Sequence, residues 1–537
     1  MRKKLFILLI LLLVSGPVFA QTPLVDSTSP AQNTLNVPTN SNISVTFDID
    51  MDQTSINDST FVVNARSTGL HPGTITYNSL TKTSTLNPTK YFDVGEIATV
   101  VLTTGIKSSL QTPIESSYVW SFTTDVNDES PGTFVTTVNY LTGDGPECVY
   151  CADLDGDGDM DIAVANGGSN NITILRNNGD GTFQSAVNYG ADNGPSSVFC
   201  ADLDVDGNLD IAVANWVSNN ISILKNNGDG TFQSAVNYGA DNGPSSVFCA
   251  DLDGDGDLDI AVANYSTNNV SILKNNGNGT FQSALNYVVG SLPLSVFCAD
   301  LDGDGDLDIA VANWNDGNVS ILRNNGDGSF ETAVNYGTGY ATYSVFCADL
   351  DGDGDLDLSV ANAGSGDISI LKNNGDGTFQ SAVSYWAVNG PYSVFCADLD
   401  GDDDLDLAVA GLMLSILKNN GDGTFQDGVT CGGVFGLSSV FCADLDEDGD
   451  LDIAAGSNGM GNKVSILFNC FLHGDCNGDM EIQLGDVVFL IYYLYKNATA
   501  PVPLAAGDVN CDEVVELGDI VYLISYIYKA GPSPCCR

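Results

Sequence analysis

The chain has 537 residues, 17 basic and 69 acidic, for a formal net charge of −52, and 43% of it is apolar. That length exceeds one ordinary core and predicts several domains, while the apolar fraction excludes a disordered acidic tail. The charge excludes nucleic acid and insertion into anionic membranes, whose binders need clustered Lys and Arg, and it favours polyvalent cations.

In chain order, residues 1–20 read MRKKLFILLILLLVSGPVFA. Arg2, Lys3 and Lys4 precede an apolar run, Leu5 to Val14, that is too short to span a bilayer comfortably. Val18-Phe19-Ala20 suits a cleavage site, so a secretory signal peptide cut before Gln21 is expected. The protein is then exported by a bacterial-type route, to be secreted or held at the cell surface; the alternative is an N-terminal membrane anchor. Residues 22–125 contain no Cys. Ile43, Val45, Phe47 and Ile49 alternate with polar residues, and GTITYNS, IATVVLTTGI and YVWSFTT are further strands between closely spaced turns. This predicts an antiparallel β-sandwich with no chemistry of its own, followed by a linker over 126–131.

Residues 132–470 repeat. An acidic stretch begins at Asp153, Asp202, Asp251, Asp300, Asp349, Asp398 and Asp444, in steps of 49 residues and a last step of 46. Within one unit, SVFCADL, DIAVAN, NVSILRN and SFETAVNY read as four short strands, with NNGDG as a hairpin turn. Seven four-stranded units at a fixed period predict a seven-bladed β-propeller. The seventh unit stops after its third strand, KVSILFN (463–469), while an orphan GTFVTTVNY (132–140) precedes the first unit and matches the fourth strand GTFQSAVNY (181–189). The orphan is expected to complete the seventh blade and close the ring, protecting an edge that an open array would expose.

Each acidic stretch follows Asp-x-Asp-x-Asp-Gly-x-x-Asp. Oxygens on alternate residues of a tight loop converge on one point, and this many hard oxygen ligands select Ca²⁺ over Mg²⁺. The candidate ligands are Asp153, Asp155, Asp157 and Asp161; Asp202, Asp204, Asp206 and Asp210; Asp251, Asp253, Asp255 and Asp259; Asp300, Asp302, Asp304 and Asp308; Asp349, Asp351, Asp353 and Asp357; Asp398, Asp400, Asp402 and Asp406; and Asp444, Asp446, Asp448 and Asp452. About seven ions are expected here. Val205 and Asn208 in the second loop occupy non-ligand positions and should be harmless; Asp403 replaces the turn glycine of the sixth, the weakest candidate.

The rim opposite these loops carries Trp216, Tyr265 and Trp314, in one register after "AN" in three consecutive units, and Trp386 from a neighbouring connection. Gathered aromatics suit stacking on sugar rings or a protein hot spot, so these four are the candidate ligand-binding residues; the alternative is that they pack against adjacent loops.

The tail, 474–537, contains two acidic loops 33 residues apart, each followed by an apolar segment of helical length. Asp475, Asn477, Asp479, Gln483 and Asp486 hold positions 1, 3, 5, 9 and 12 of the first loop, and Asp508, Asn510, Asp512, Glu516 and Asp519 those of the second. Up to two further Ca²⁺ are expected, with Met480 and Glu513 in place of the sixth-position Gly straining the turn. Of 14 cysteines, Cys151, Cys200, Cys249, Cys298, Cys347, Cys396 and Cys442 recur once per unit and read as buried thiols; Cys470, Cys476, Cys511, Cys535 and Cys536 are the disulfide candidates, with the pairing open.

These motifs carry three resemblances. The acidic repeats resemble the FG-GAP/VCBS family, best known from the integrin α-subunit propeller, which implies a calcium propeller used in extracellular recognition. STSPAQNTLNVPTNSNISVTFDIDMD with the closing YVWSFTTD resembles bacterial Ig-like domains, which are mostly spacers. The tail resembles a dockerin, implying a cohesin-type partner; Leu484-Gly485 and Leu517-Gly518, at the positions that help choose that partner, do not name it. Only two histidines occur, His71 and His473, so the usual catalytic base and zinc ligands are missing from the repeats, and the repeated acids are committed to metal. The expectation is a non-enzymatic calcium-binding recognition or adhesion protein whose propeller binds a glycan or extracellular protein. The alternatives are a component of a polysaccharide-degrading complex, associated with hydrolase or lyase activity, and a passive structural exoprotein.

Overall fold

The structure, a computed structural model, describes residues 21–126, 132–458, 461–469, 484–496, 509 and 515–529. The expected signal peptide, most of the 126–131 linker and the five tail cysteines lie outside them.

Val25–Thr124 forms a sandwich of two sheets. Strict alternation buries every second residue of Ile43–Phe47 and Phe61–Ala65, and Phe47, Phe61, Trp120 and Phe122 fill the space between the sheets. One pairing departs from the antiparallel expectation: Thr34–Val37 runs parallel to Tyr118–Thr124. The chain leaves the first sheet at Ser29 and reaches the second by Thr34. No hairpin sets its direction there, and its partner is remote in sequence.

The repeats form seven four-stranded sheets, each a meander in chain order from the innermost strand outward. In the second repeat the strands are Pro195–Ala201, Asp210–Asn215, Asn220–Leu224 and Val236–Gly239. The innermost strands pack side by side around a closed ring, with Leu437–Ala443 of the last sheet against Pro146–Ala152 of the first. The last sheet takes its outer strand from the other end of the repeats. Phe134–Leu141 pairs antiparallel with Lys463–Asn469, Val138 opposite Ile466 and Tyr140 opposite Val464. The DIAVAN strands are buried on both faces because each blade is flanked by two others, which is why they read as apolar runs rather than alternating ones. The fourth strands are shorter than the sequence suggests. Val187–Gly190 is paired, whereas 181–186 makes only a bridge between Asn177 and Phe183, where the Phe183 ring turns inward against Tyr140 with centroids 5.2 Å apart.

The sandwich sits on the acidic-loop end of the ring, where Val119 N–H donates to Gly305 O (2.9 Å) and Asp153 N–H to Ser67 O (3.1 Å). Two 13-residue helices, Leu484–Lys496 and Leu517–Lys529, pack through Val487, Leu490, Ile520 and Leu523. Among the described residues no helix is long and apolar enough to cross a membrane.

Candidate metal centres and channel mouth

Each acidic loop joins the first strand of a blade to its second and folds on its own carboxylates. The first Asp gathers the turn: Asp251 Oδ1 accepts Gly254 N–H (2.8 Å) and Oδ2 accepts Gly256 N–H (2.9 Å), and the same pair recurs on Asp300, Asp349 and Asp398. The fifth-position Asp accepts the N–H two residues on, as Asp255 does from Asp257 (3.0 Å). The ninth-position Asp opens the second strand and is buried in all seven loops. Its Oδ1 accepts the N–H of an Asn at or two residues past the end of the third strand, at 2.7–2.8 Å, from Asn177 on Asp161 to Asn469 on Asp452. Burial, the largest cause, pushes Asp161, Asp259, Asp308 and Asp406 up to about 8 and Asp210 and Asp357 to about 7.

The carboxylates at positions one, three and five converge. One oxygen from each of Asp153, Asp155 and Asp157 lies within 4.8 Å of the others; so do the triads starting at Asp202, Asp251, Asp300 and Asp349, and two more groups. Oxygens on one Ca²⁺ at 2.3–2.6 Å can be at most about 5 Å apart, so these spacings fit a single ion. The third-position Asp supplies a second sign. Its Oδ2 pairs with the basic side chain that directly follows the third strand: Arg176, Lys225, Lys274, Arg323, Lys372 or Lys418 in the first six loops, at 2.6–3.7 Å. Its Oδ1 is buried without a partner in all seven loops: Asp155, Asp204, Asp253, Asp302, Asp351, Asp400 and Asp446. Buried carboxylate oxygens are rarely orphaned, and seven in register are what a cation site requires. The carboxylate-rich donor set fits calcium, which would neutralise the repulsion within each loop. Sequence reasoning missed the basic partners, whose signal was the Lys or Arg before "NN" in six units.

The fourth position also carries a requirement not visible in the Asp pattern. It adopts positive φ throughout: Gly156 +78°, Val205 +62°, Gly254 +72°, Glu447 +61°. Val205 is therefore not harmless, because a β-branched side chain is disfavoured in the left-handed region. Asp403, at the sixth position with φ +73°, keeps the turn of its glycine counterparts and donates its N–H to Asp398 Oδ2 (3.1 Å).

The loops also form the seams between blades. The first Asn of each NN pair, and Asn469 at the same register in the last blade, is buried and donates Nδ2–H to the carbonyl of the second loop residue in the preceding blade. Asn226 reaches Leu154 (2.7 Å), Asn275 Leu203 (2.8 Å) and Asn469 Leu399 (2.9 Å); Asn177 reaches Leu445 (2.8 Å) and so joins the first blade to the last. The loop lysines cross the same seams, Lys225 Nζ to Asn278 O (2.8 Å) and Lys274 Nζ to Asp327 O (2.6 Å).

At the opposite rim the channel opens into a cavity of about 900 Å³. Trp216, Tyr265 and Trp314 all line it, Trp216 and Tyr265 with ring centroids 4.6 Å apart. Trp386 does not. It ends a perimeter strand, opposite Asp367, and is 52% exposed, because a fourth strand is the farthest from the axis. Two lining aromatics escaped the sequence reading: Tyr343 and Tyr392, 5.0 Å apart, from innermost strands or their approach rather than from the "AN" register. Below them stand inner-strand serines. Ser246 Oγ accepts Val296 N–H (3.3 Å) and Ser295 Oγ accepts Val345 N–H (3.4 Å), which leaves each hydroxyl hydrogen available to a ligand.

In the tail, Asp475, Asn477, Asp479, Gln483, Asp508, Asn510 and Asp512 lie outside the described residues, as does the side chain of Asp486. Asp519 is buried at the start of its helix, its Oδ2 accepting Glu516 N–H (2.7 Å), while the Glu516 side chain is exposed. Val488, Ile491, Tyr492, Tyr495, Val521 and Tyr528 remain 39–61% exposed on the two helices.

Comparison with known proteins gives three family matches. Residues 153–213, 202–262, 251–311, 300–360 and 356–409 match the FG-GAP-like repeat, 20–124 the bacterial Ig-like domain, and 473–528 the dockerin type I domain. No curated protein gives a significant match. Among solved structures, a lectin of Agrocybe aegerita described as recognising non-reducing terminal N-acetylglucosamine is similar at 22% identity, covering 71% of this chain and 93% of its own, with a TM-score of 0.40. BBS1N in complex with ARL6DN is similar at 13% identity, 63% and 96% coverage and a TM-score of 0.46. A streptogramin B lyase is similar at 15% identity, 62% and 97% coverage and a TM-score of 0.43.

Proposed function

We propose that this chain, in which FG-GAP-like repeats stand between a bacterial Ig-like domain and a type I dockerin domain, is an exported calcium-binding recognition protein that holds a glycan at its channel mouth and docks to a cohesin through its tail. The repeat, Ig-like and dockerin modules are non-catalytic types, and type I dockerins are typical of extracellular cellulosome components. Calcium, about seven ions in the ring and up to two in the tail, fixes the blades. The exposed apolar residues on the two tail helices suit a protein partner.

The observation that carries the glycan reading is the convergence of Trp216, Tyr265, Trp314, Tyr343 and Tyr392 on one mouth. Aromatic faces stack on the apolar faces of sugar rings, and the serines beneath offer hydrogen bonds to hydroxyls. The test is a glycan array and a panel of extracellular proteins probed with and without calcium, using the parent and a Trp216→Ala/Tyr265→Ala/Trp314→Ala variant. Glycan binding that the variant loses while keeping its melting temperature supports the reading. Binding confined to proteins, or glycan binding untouched by the variant, overturns it.

A further inference from the structure

The other end of the channel is occupied by the chain itself. Tyr150 and the phenylalanines at its register in the six other blades, from Phe199 to Phe441, form a closed circle of rings with neighbouring centroids 4.8–4.9 Å apart. A heptagon of that edge has a radius of about 5.6 Å, and Arg66 Cζ, from the Ig-like domain, stands 5.3–6.0 Å from six of the seven centroids. The guanidinium is at the centre of the ring. Its Nε and Nη1 are buried and accepted by no oxygen, so the aromatic π systems take the place of acceptors. Tyr150 Oη–H closes the contact by donating to Arg66 O (3.0 Å).

Around this centre the sandwich touches every blade. Lys90 Nζ lies 2.7 Å from Asp153 Oδ2 in the first. Leu209 of the second packs under Gly69, and Leu451 of the seventh under Gly95, each so close that a Cβ on the glycine would stand under 3 Å away. Ser117 abuts Gly254 in the third, and Gln32 Nε2 donates to Asp300 Oδ2 (2.6 Å) in the fourth. Asn33 Nδ2 donates to Gly354 O (2.8 Å) in the fifth and Asn36 Nδ2 to Asp403 O (3.4 Å) in the sixth. Residues 21–126 carry nine acidic against four basic side chains, so overall charge repels this domain from an acidic rim and specific contacts must hold it there.

We propose that the Ig-like domain is not a spacer but a fixed plug of the propeller, with Arg66 as its anchor, so that the channel is a blind funnel open only at the aromatic mouth. This goes beyond the glycan reading and stands or falls apart from it. A spacer would make a few polar contacts on one side; this domain is centred on the sevenfold axis and reaches all seven loops.

The test uses the full chain with a specific protease site inserted within 127–131, cleaved at saturating calcium and run on a sizing column at micromolar concentration. The Ig-like fragment should co-elute with the remainder. Arg66→Ala should weaken the association at least tenfold. Phe297→Leu, which keeps the channel apolar but removes a ring 5.6 Å from the guanidinium, should weaken it about threefold. Separation of the parent fragments on cleavage overturns the plug, whatever the variants do. Parent-like association of both variants overturns Arg66 as the anchor.

Discussion

Replacing Asn275 by Ala isolates what holds one blade to the next. The side chain is buried, and its Nδ2 donates across the seam to Leu203 O (2.8 Å) and within its blade to Leu258 O (3.0 Å), while Oδ1 accepts Gly277 N–H (3.1 Å). Truncation leaves the buried Leu203 carbonyl without a donor, at about 1–3 kcal/mol for an unsatisfied buried group, plus about 1 kcal/mol for the partly buried bond. The expected loss is about 2–4 kcal/mol. Asn276→Ala is the matched control: its Nδ2 bonds only Thr280 within the exposed turn, and the change should cost under about 1 kcal/mol. Both would be read by urea unfolding at saturating calcium. Because Leu203 lies between the ligand candidates Asp202 and Asp204, calcium affinity should fall in Asn275→Ala and not in Asn276→Ala. Equal stability of the two variants would refute the seam argument.

Three further outcomes follow from the same geometry. In EDTA the raised ninth-position carboxylates keep protons in the fold that the unfolded chain has released. Stability should therefore fall as pH rises from the unfolded value of 3.8 to about 8, most cleanly in the window above about 6.5, and calcium should abolish the slope; a flat melting temperature in EDTA contradicts the burial. His71, held at about 4 by burial, works in the opposite sense, but its contribution is complete above about 6.5 and leaves that window clean. Val205→Gly should relieve left-handed strain and, after the extra freedom of glycine in the unfolded chain, stabilise by about 0.5–1 kcal/mol in a thermal scan; destabilisation would show that the side chain is needed. Deleting 132–141 should expose the edge of Lys463–Asn469 and produce aggregation or a large drop in melting temperature, whereas a parent-like melt would make that segment a linker.

Much of this was legible because repetition averages out ambiguity. One Asp-x-Asp-x-Asp-Gly is weak evidence, but seven copies point to a cation site in each loop, and the orphan fourth strand at the far end gave the closure that the structure shows. What escaped depends on relations across blades or domains. The lysines and arginines bracing the third-position Asp sit about 20 residues downstream, and only the folded hairpin brings them back. The positive φ at position four was masked by Gly in five copies, so Val205 looked like a free choice. Trp386 was misplaced because the sequence orders strands along a blade without giving their distance from the axis. Arg66 carries no motif: its role comes from a ring that seven remote segments build together.

The most direct test of the account is a count of bound calcium. The purified full chain, dialysed to equilibrium against micromolar calcium, would be assayed by elemental analysis against protein concentration. Seven orphaned carboxylate oxygens in register predict about seven ions in the ring and about seven to nine per chain. Two ions or fewer, no more than the tail loops alone would hold, would contradict it.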